Sequence, residues 1–235
     1  MTDTERTVAS TLESRLHDVL ERRYHHLHPF NLAMHAGTLS REQLRQWVAN
    51  RFYYQQHIPV KDALLLAKLP AEYRREWIQR IHTHDGRDAS EGGLETWLRL
   101  AEATGLDRAS VIDNRWVLPG VRFSVEAYVT FVRDAPWLDG VASSLTELFA
   151  PRIMKTRTGA FLEHYDWIDE SGLQYFRDRQ TQAPREAEQA LAIVKRHADT
   201  PELQDRMVAA LHFKCDVLWA LLDAIAYNVP NDGAP

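Results

Sequence analysis

The chain has one cysteine, Cys215, among its 235 residues. That excludes an internal disulfide framework and suits a reducing compartment. No apolar run approaches the roughly 18 residues that would suggest a membrane span. The opening MTDTERTVAS lacks the basic start and apolar stretch of a secretory signal. A cytoplasmic protein with no membrane partner is expected. A basic surplus is also missing. With 28 Lys and Arg against 33 Asp and Glu, the formal charge is -5, so the whole surface does not attract phosphate backbones and no nucleic-acid partner is expected.

Several chemical signatures are absent as well. Without HExxH, a P-loop or GxGxxG, zinc peptidase, NTPase and dinucleotide chemistry have no support. The chain carries 11 histidines, yet no Asp or Glu is followed three residues later by His, so the di-iron carboxylate bundle pattern is missing. His82 and His84, two apart, splay on a helix. The YHHLH run from Tyr24 to His28 reads as a helix end, and no metal is expected. Fixed-period repeats and low-complexity linkers are lacking too.

Helical periodicity fills the space that these absences leave. Alternating strand patterns are scarce, and the expected fold is an all-α, compact bundle of about seven helices. It forms one domain over 1–235, with a turn-forming, frayed tail at 228–235. Ser40 with Gln43 makes a capping box, and Thr200-Pro201-Glu202 places a cap, a first-turn proline and an acid in favourable order. Pro59 is expected to kink or end the helix before it. Asp85 to Gly93 reads as a charged, glycine-containing loop.

The informative feature is what lies on the apolar stripes. One stripe runs Leu44, Trp47 and Val48, Arg51, Tyr54 and Gln55, Ile58; another runs Tyr73, Trp77, Arg80 and Ile81, His84. Near the end come Leu211, Lys214 and Cys215, Leu218, Leu222, Ile225, and earlier Val121, Val125, Tyr128, Val132. Arg51, Arg80, His84, Tyr128 and Lys214 therefore point inward. Burying an unpaired charge costs several kcal/mol, so such groups face an anionic partner or a polar cavity. Arg80 with His84, Arg51 with Gln55, and Tyr175 with Arg179 are one-turn pairs that can line one cavity. The pattern predicts a cationic pocket for a polyanionic small molecule. The competing reading is that each arginine pairs with a buried acid. His84, with a reference pKa of about 6.5, can move protons near neutrality. Cys215 offers a nucleophile for hydrolysis of thiamine-like compounds, although on an apolar stripe a thiol is more often inert.

These residues also carry a family likeness. WVANRFYYQ (Trp47–Gln55), HDG (His84–Gly86), GGLETWLRL (Gly92–Leu100), LPGVRF (Leu118–Phe123), SSLTELFAP (Ser143–Pro151), HYDWI (His164–Ile168) and FKCDVLW (Phe213–Trp219), with the Tyr24–Pro29 region, span nearly the whole chain. In these stretches the sequence closely resembles the pyrroloquinoline-quinone synthase family. The resemblance implies a heme-oxygenase and TenA-like bundle, working as a homodimer without metal or organic cofactor. It further implies ring closure and eight-electron oxidation of a tricarboxylic quinoline-dione intermediate, AHQQ. Molecular oxygen is the co-substrate, and pyrroloquinoline quinone (PQQ) and H2O2 are released; a product-accepting protein is a further implied partner. Carried over by position, Tyr24, His25, Arg51, Gln55, Lys61, Arg80, Tyr128, Thr146, Glu147 and Arg157 bind the substrate. His84, Tyr175, Arg179 and Lys214 act in catalysis, His84 as general base and then acid. Met154 forms an oxygen-pocket wall where many members have histidine. A thioether transfers no protons, so the alternative is a PQQ-binding or carrier protein with partial or no turnover.

Overall fold

The computed structural model describes residues 11–228, and these contain α-helices, short 3-10 turns and loops, with no strand among them. Eleven α-helices follow in order: α1 (Leu12–Arg23), α2 (Pro29–His35), α3 (Arg41–Lys68), α4 (Ala71–Asp85), α5 (Gly92–Ala103), α6 (Arg108–Ile112), α7 (Pro119–Asp134), α8 (Trp137–Ser143), α9 (Ala150–His164), α10 (Gln174–His197) and α11 (Pro201–Asn228). The number exceeds the expected seven chiefly because α2, α6 and α8 are short, with 7, 5 and 7 residues. Such pieces carry too few turns for periodicity to reveal them. Asn228 is still helical, while 229–235, the rest of the expected frayed tail, lie outside the described residues.

α3 is the axis of the molecule. It packs on α4, α5 and α7, and α11 lies against α1, α7 and α8. Every residue from Trp47 to Gln55 is buried. A helix covered on all sides brings polar side chains inside whichever face they occupy. α3 does not end at Pro59, one of the two outcomes the sequence suggested; it continues to Lys68. The missing N–H removes one backbone bond, but buried Ile58, Lys61, Asp62 and Leu65 on either side of the proline hold the helix in place. α10 likewise runs through Pro184.

Helix ends follow local chemistry. The capping box at Ser40 forms in both directions, with Gln43 N at 3.2 Å from Ser40 Oγ and Ser40 N at 2.8 Å from Gln43 Oε1. Thr200 caps α11 through Leu203 N at 3.2 Å. The YHHLH run is indeed a helix end: α1 stops at Arg23, a 3-10 turn covers His25–Leu27, and His28 Nδ1 caps α2 by accepting from Phe30 N. Lys68 Nζ donates to the carbonyls of Val132, Arg133 and Ala135, tying the end of α3 to the end of α7.

Candidate active site

α3, α4, α7, α9, α10 and α11 turn their polar side chains toward one interior region. Lys61, Arg80, His84, Tyr128, Thr146, Glu147 and Lys214 line a small, tightly packed cavity of about 10 Å³. His84 also borders a second cavity of about 70 Å³, together with Tyr175 and Arg179. The two chambers meet at that histidine. Tyr24, His25, Arg51, Gln55, Arg157 and Met154 are buried without lining either one. Of these, Gln55 and Arg51 touch residues of the lining. Tyr175 Oη donates to Gln55 Oε1 at 2.9 Å, and Arg51 stacks over Tyr54, whose hydroxyl receives Lys214 Nζ at 2.7 Å. Met154 sits on α9 one turn before Arg157.

The inward cations divide into two groups. Arg179 is paired with both Glu147 and Glu186, Arg80 lies 4.0 Å from Glu186, and Lys61 lies 2.7 Å from Asp62. For these three, the competing reading of structural pairing holds. Arg51, Arg157 and Lys214 have no carboxylate partner among the described residues. Instead they lie on aromatic faces: Arg51 over Tyr54 at 4.0 Å, Arg157 over Trp47 at 4.9 Å, and Lys214 over Tyr128 at 3.5 Å. Ring quadrupoles offset only part of the cost of a buried charge. Three basic groups therefore remain in the interior without a carboxylate within ion-pair distance among the described residues.

Protonation reflects that arrangement. Burial, with Arg51 and Lys61 nearby, holds the Lys214 ammonium well below its ordinary pKa. Burial and Arg51 bring even the Arg157 guanidinium down to about 9. Around Lys61 and Arg179 burial also opposes the charge, but Asp62 in one case and Glu147 with Glu186 in the other outweigh it, and both pKa values rise. His84 is pushed down to about 3 by burial and then by Arg179. Its reference value near neutrality does not survive in the empty pocket, so at neutral pH it is an uncharged base. Its Nδ1 is buried and has no hydrogen-bond partner. Burial raises the Tyr175 pKa, which keeps its hydroxyl protonated.

Sequence reasoning missed several members of the site. Asp62 neutralises Lys61 and accepts from Trp77 Nε1 at 3.0 Å. Glu186 follows Arg179 by two turns on the same face of α10, a spacing that could have revealed it. Tyr54 stood on the α3 stripe without an assigned role. Asn31 gave no sequence signal. Cys215, by contrast, is fully buried, does not line the cavity, and is pushed up to about 12 by burial. A buried, protonated thiol away from the cavity lends the hydrolase reading no support. Among the described residues no cluster of three or more His, Cys, Asp or Glu is placed to hold a metal ion.

The all-helical bundle is shared with solved TenA homologues. The chain aligns with the crystal structure of a TenA homolog from Pseudomonas syringae pv. tomato at a TM-score of 0.74, covering 97% of this chain and 99% of that one at 14% identity. This likeness concerns the fold alone. The model of the TENA/THI-4/PQQC family matches residues 14–224, and the chain belongs to that family. Within it, pyrroloquinoline-quinone synthase from Granulibacter bethesdensis is 52% identical over 223 residues, covering 94% of this chain and 88% of the relative. The protein of the same name from Pseudomonas aeruginosa is 55% identical over 206 residues, covering 87% and 82%.

Proposed function

We propose that this chain is a pyrroloquinoline-quinone synthase: an oxidase that closes the last ring of a tricarboxylic quinoline-dione and oxidises it with O2 to PQQ. The observation that carries the reading is the trio Arg51, Arg157 and Lys214, buried and lacking carboxylates beside a cavity already lined by Lys61 and Arg80. A ligand with three carboxylates supplies the missing charges one for one. Guanidinium groups grip carboxylates through paired hydrogen bonds, and an ammonium neutralises them as a point charge. The relatives named above, similar over most of their length, point the same way.

The residues divide the work. Neutral His84 accepts a proton from the substrate and later returns it, its Nδ1 being free of other duties. Tyr175 keeps its proton and donates a hydrogen bond to Gln55 Oε1, which fixes the hydroxyl beside the second chamber. Arg179, its charge balanced by Glu147 and Glu186, brings a fixed guanidinium donor to the second chamber, where reduced oxygen species carry negative charge. A substrate able to form an electron-rich quinol reduces O2 itself, so the chemistry asks the protein for positioning, proton transfer and charge stabilisation. The same reading takes O2 as acceptor, needs no metal or organic cofactor, and includes a cytoplasmic homodimer that passes its product to an accepting protein. No helix among the described residues is long and apolar enough to cross a membrane.

The decisive experiment mixes purified protein with the intermediate under air. Oxygen uptake with growth of the quinone spectrum is expected. No turnover under conditions in which the Pseudomonas aeruginosa relative reacts would overturn the proposal. Met154 favours a second reading, a protein that binds or hands on the quinone with partial turnover, because a thioether gives the oxygen steps no proton donor. Tight PQQ binding with oxidation stalled at a partly reduced species would support it.

A further inference from the structure

We propose that Asn31 is a positioning residue of this site, fixing the tautomer of His25 and the placement of the Arg157 guanidinium with one amide. Asn31 lies on α2 and is fully buried. Its Nδ2 stands 2.7 Å from the His25 carbonyl oxygen and 3.0 Å from His25 Nδ1, and its Oδ1 receives Arg157 Nη2 at 3.1 Å. A backbone carbonyl can only accept and a guanidinium can only donate. The orientation of the amide is therefore dictated at both ends and is not a free choice between oxygen and nitrogen.

The consequence falls on His25. One Nδ2 hydrogen goes to the carbonyl and the other to Nδ1, so Nδ1 must accept, and the ring carries its only proton on Nε2. Protonating Nδ1 would set two N–H groups against each other. His25 thus offers an N–H donor that adds no charge, in a region where Arg51, Arg157 and Lys214 already lack carboxylates. Burial followed by the charge of Arg51 favours the same neutral ring. The group that fits such a donor is an acceptor oxygen, a carboxylate or quinone carbonyl. The role in ligand positioning rests on the reading of His25 and Arg157 as substrate-binding groups; the tautomer does not.

Two measurements test the proposal. In the first, ¹⁵N NMR of side-chain-labelled, ligand-free protein, assigned with a His25→Gln variant, reads the His25 ring directly. The Nε2–H form is expected in wild type. In Asn31→Asp, which can no longer donate, the signal moves to the Nδ1–H form or to imidazolium. A wild-type ring found protonated on Nδ1 overturns the proposal, and this readout needs neither turnover nor ligand. In the second, PQQ is titrated into wild type, Asn31→Leu, His25→Gln and the double variant. Asn31→Leu is expected to weaken binding about tenfold, with a clearly smaller loss in the His25→Gln background because the two act through one hydrogen bond. Equal losses in both backgrounds overturn the positioning of His25 and assign the loss to the Arg157 contact alone. If wild type shows the expected tautomer but does not bind PQQ, the functional reading falls and the tautomer assignment stands.

Discussion

Lys214 shows how a single residue can cost stability in order to serve a ligand. It is fully buried, rests on the Tyr128 ring and has Tyr54 as its hydrogen-bond partner. Replacing it with methionine, of similar length, removes that cost. Lys214→Met is expected to stabilise the empty protein at neutral pH by about 1–3 kcal/mol while weakening PQQ binding, as read by thermal unfolding and titration. Because the folded pKa lies below the unfolded value of 10.5, the gain should close as pH rises toward that value. Arg179→Ala is expected to do the reverse. It strands Glu147 and Glu186, which are partly shielded from solvent, at a cost of about 3 kcal/mol, and adding Glu186→Gln should restore part of it. His84→Ala leaves no charge behind; the variant should fold and bind but lose about 10²–10⁴ in turnover. A His84→Ala protein with unchanged turnover would remove that residue from the chemistry.

At the scale of elements, α3 carries more of the architecture than its sequence pattern implied. Its start is set by the Ser40 capping box and its end by Lys68, whose ammonium gathers three carbonyls around the end of α7. Ser40→Ala is expected to cost about 1 kcal/mol in chemical denaturation. Lys68→Met is expected to cost about 1–3 kcal/mol, since it leaves partly buried carbonyls without a donor. Hydrogen exchange should show the Lys68 effect on both α3 and α7, whereas a purely local cap would affect only one. The Pro59 outcome belongs at this scale too. A missing backbone bond is a local loss, and a helix enclosed by three others does not end for it.

The whole molecule combines these effects in its response to acid. His84 is pushed down to about 3 and His35 to about 4 by burial, followed by the positive charge of Arg179 and Arg157 respectively. Both are uncharged in the fold, and the unfolded chain binds more protons below its ordinary histidine value. Their contribution to stability is therefore complete above pH 6.5 and is lost as pH falls from 6.5 toward about 3. Denaturation midpoints measured across that interval should decline steadily for wild type and less steeply for His84→Gln. A saturating tricarboxylate opposes the decline, by about 2.7 kcal/mol when present at a hundred times its dissociation constant.

Much of this protein was legible in its sequence, for reasons that are local. Three-and-four spacing sets which side of a helix is apolar, so the all-α class and the inward placement of Arg51, Arg80, His84, Tyr128 and Lys214 could be read directly, and Ser40 and Thr200 marked helix starts by their own hydrogen-bonding chemistry. Which cations would be neutralised could not be read, because Glu147 meets Arg179 across 32 positions and Asn31 meets Arg157 across 126. Only the packed structure brought those partners together. It left three basic groups without a carboxylate, buried Cys215 away from the cavity, and lowered His84 far from its reference value. Helical pattern depends on neighbours within two turns; charge balance and protonation depend on everything within a few ångströms, and that set is decided by the tertiary fold.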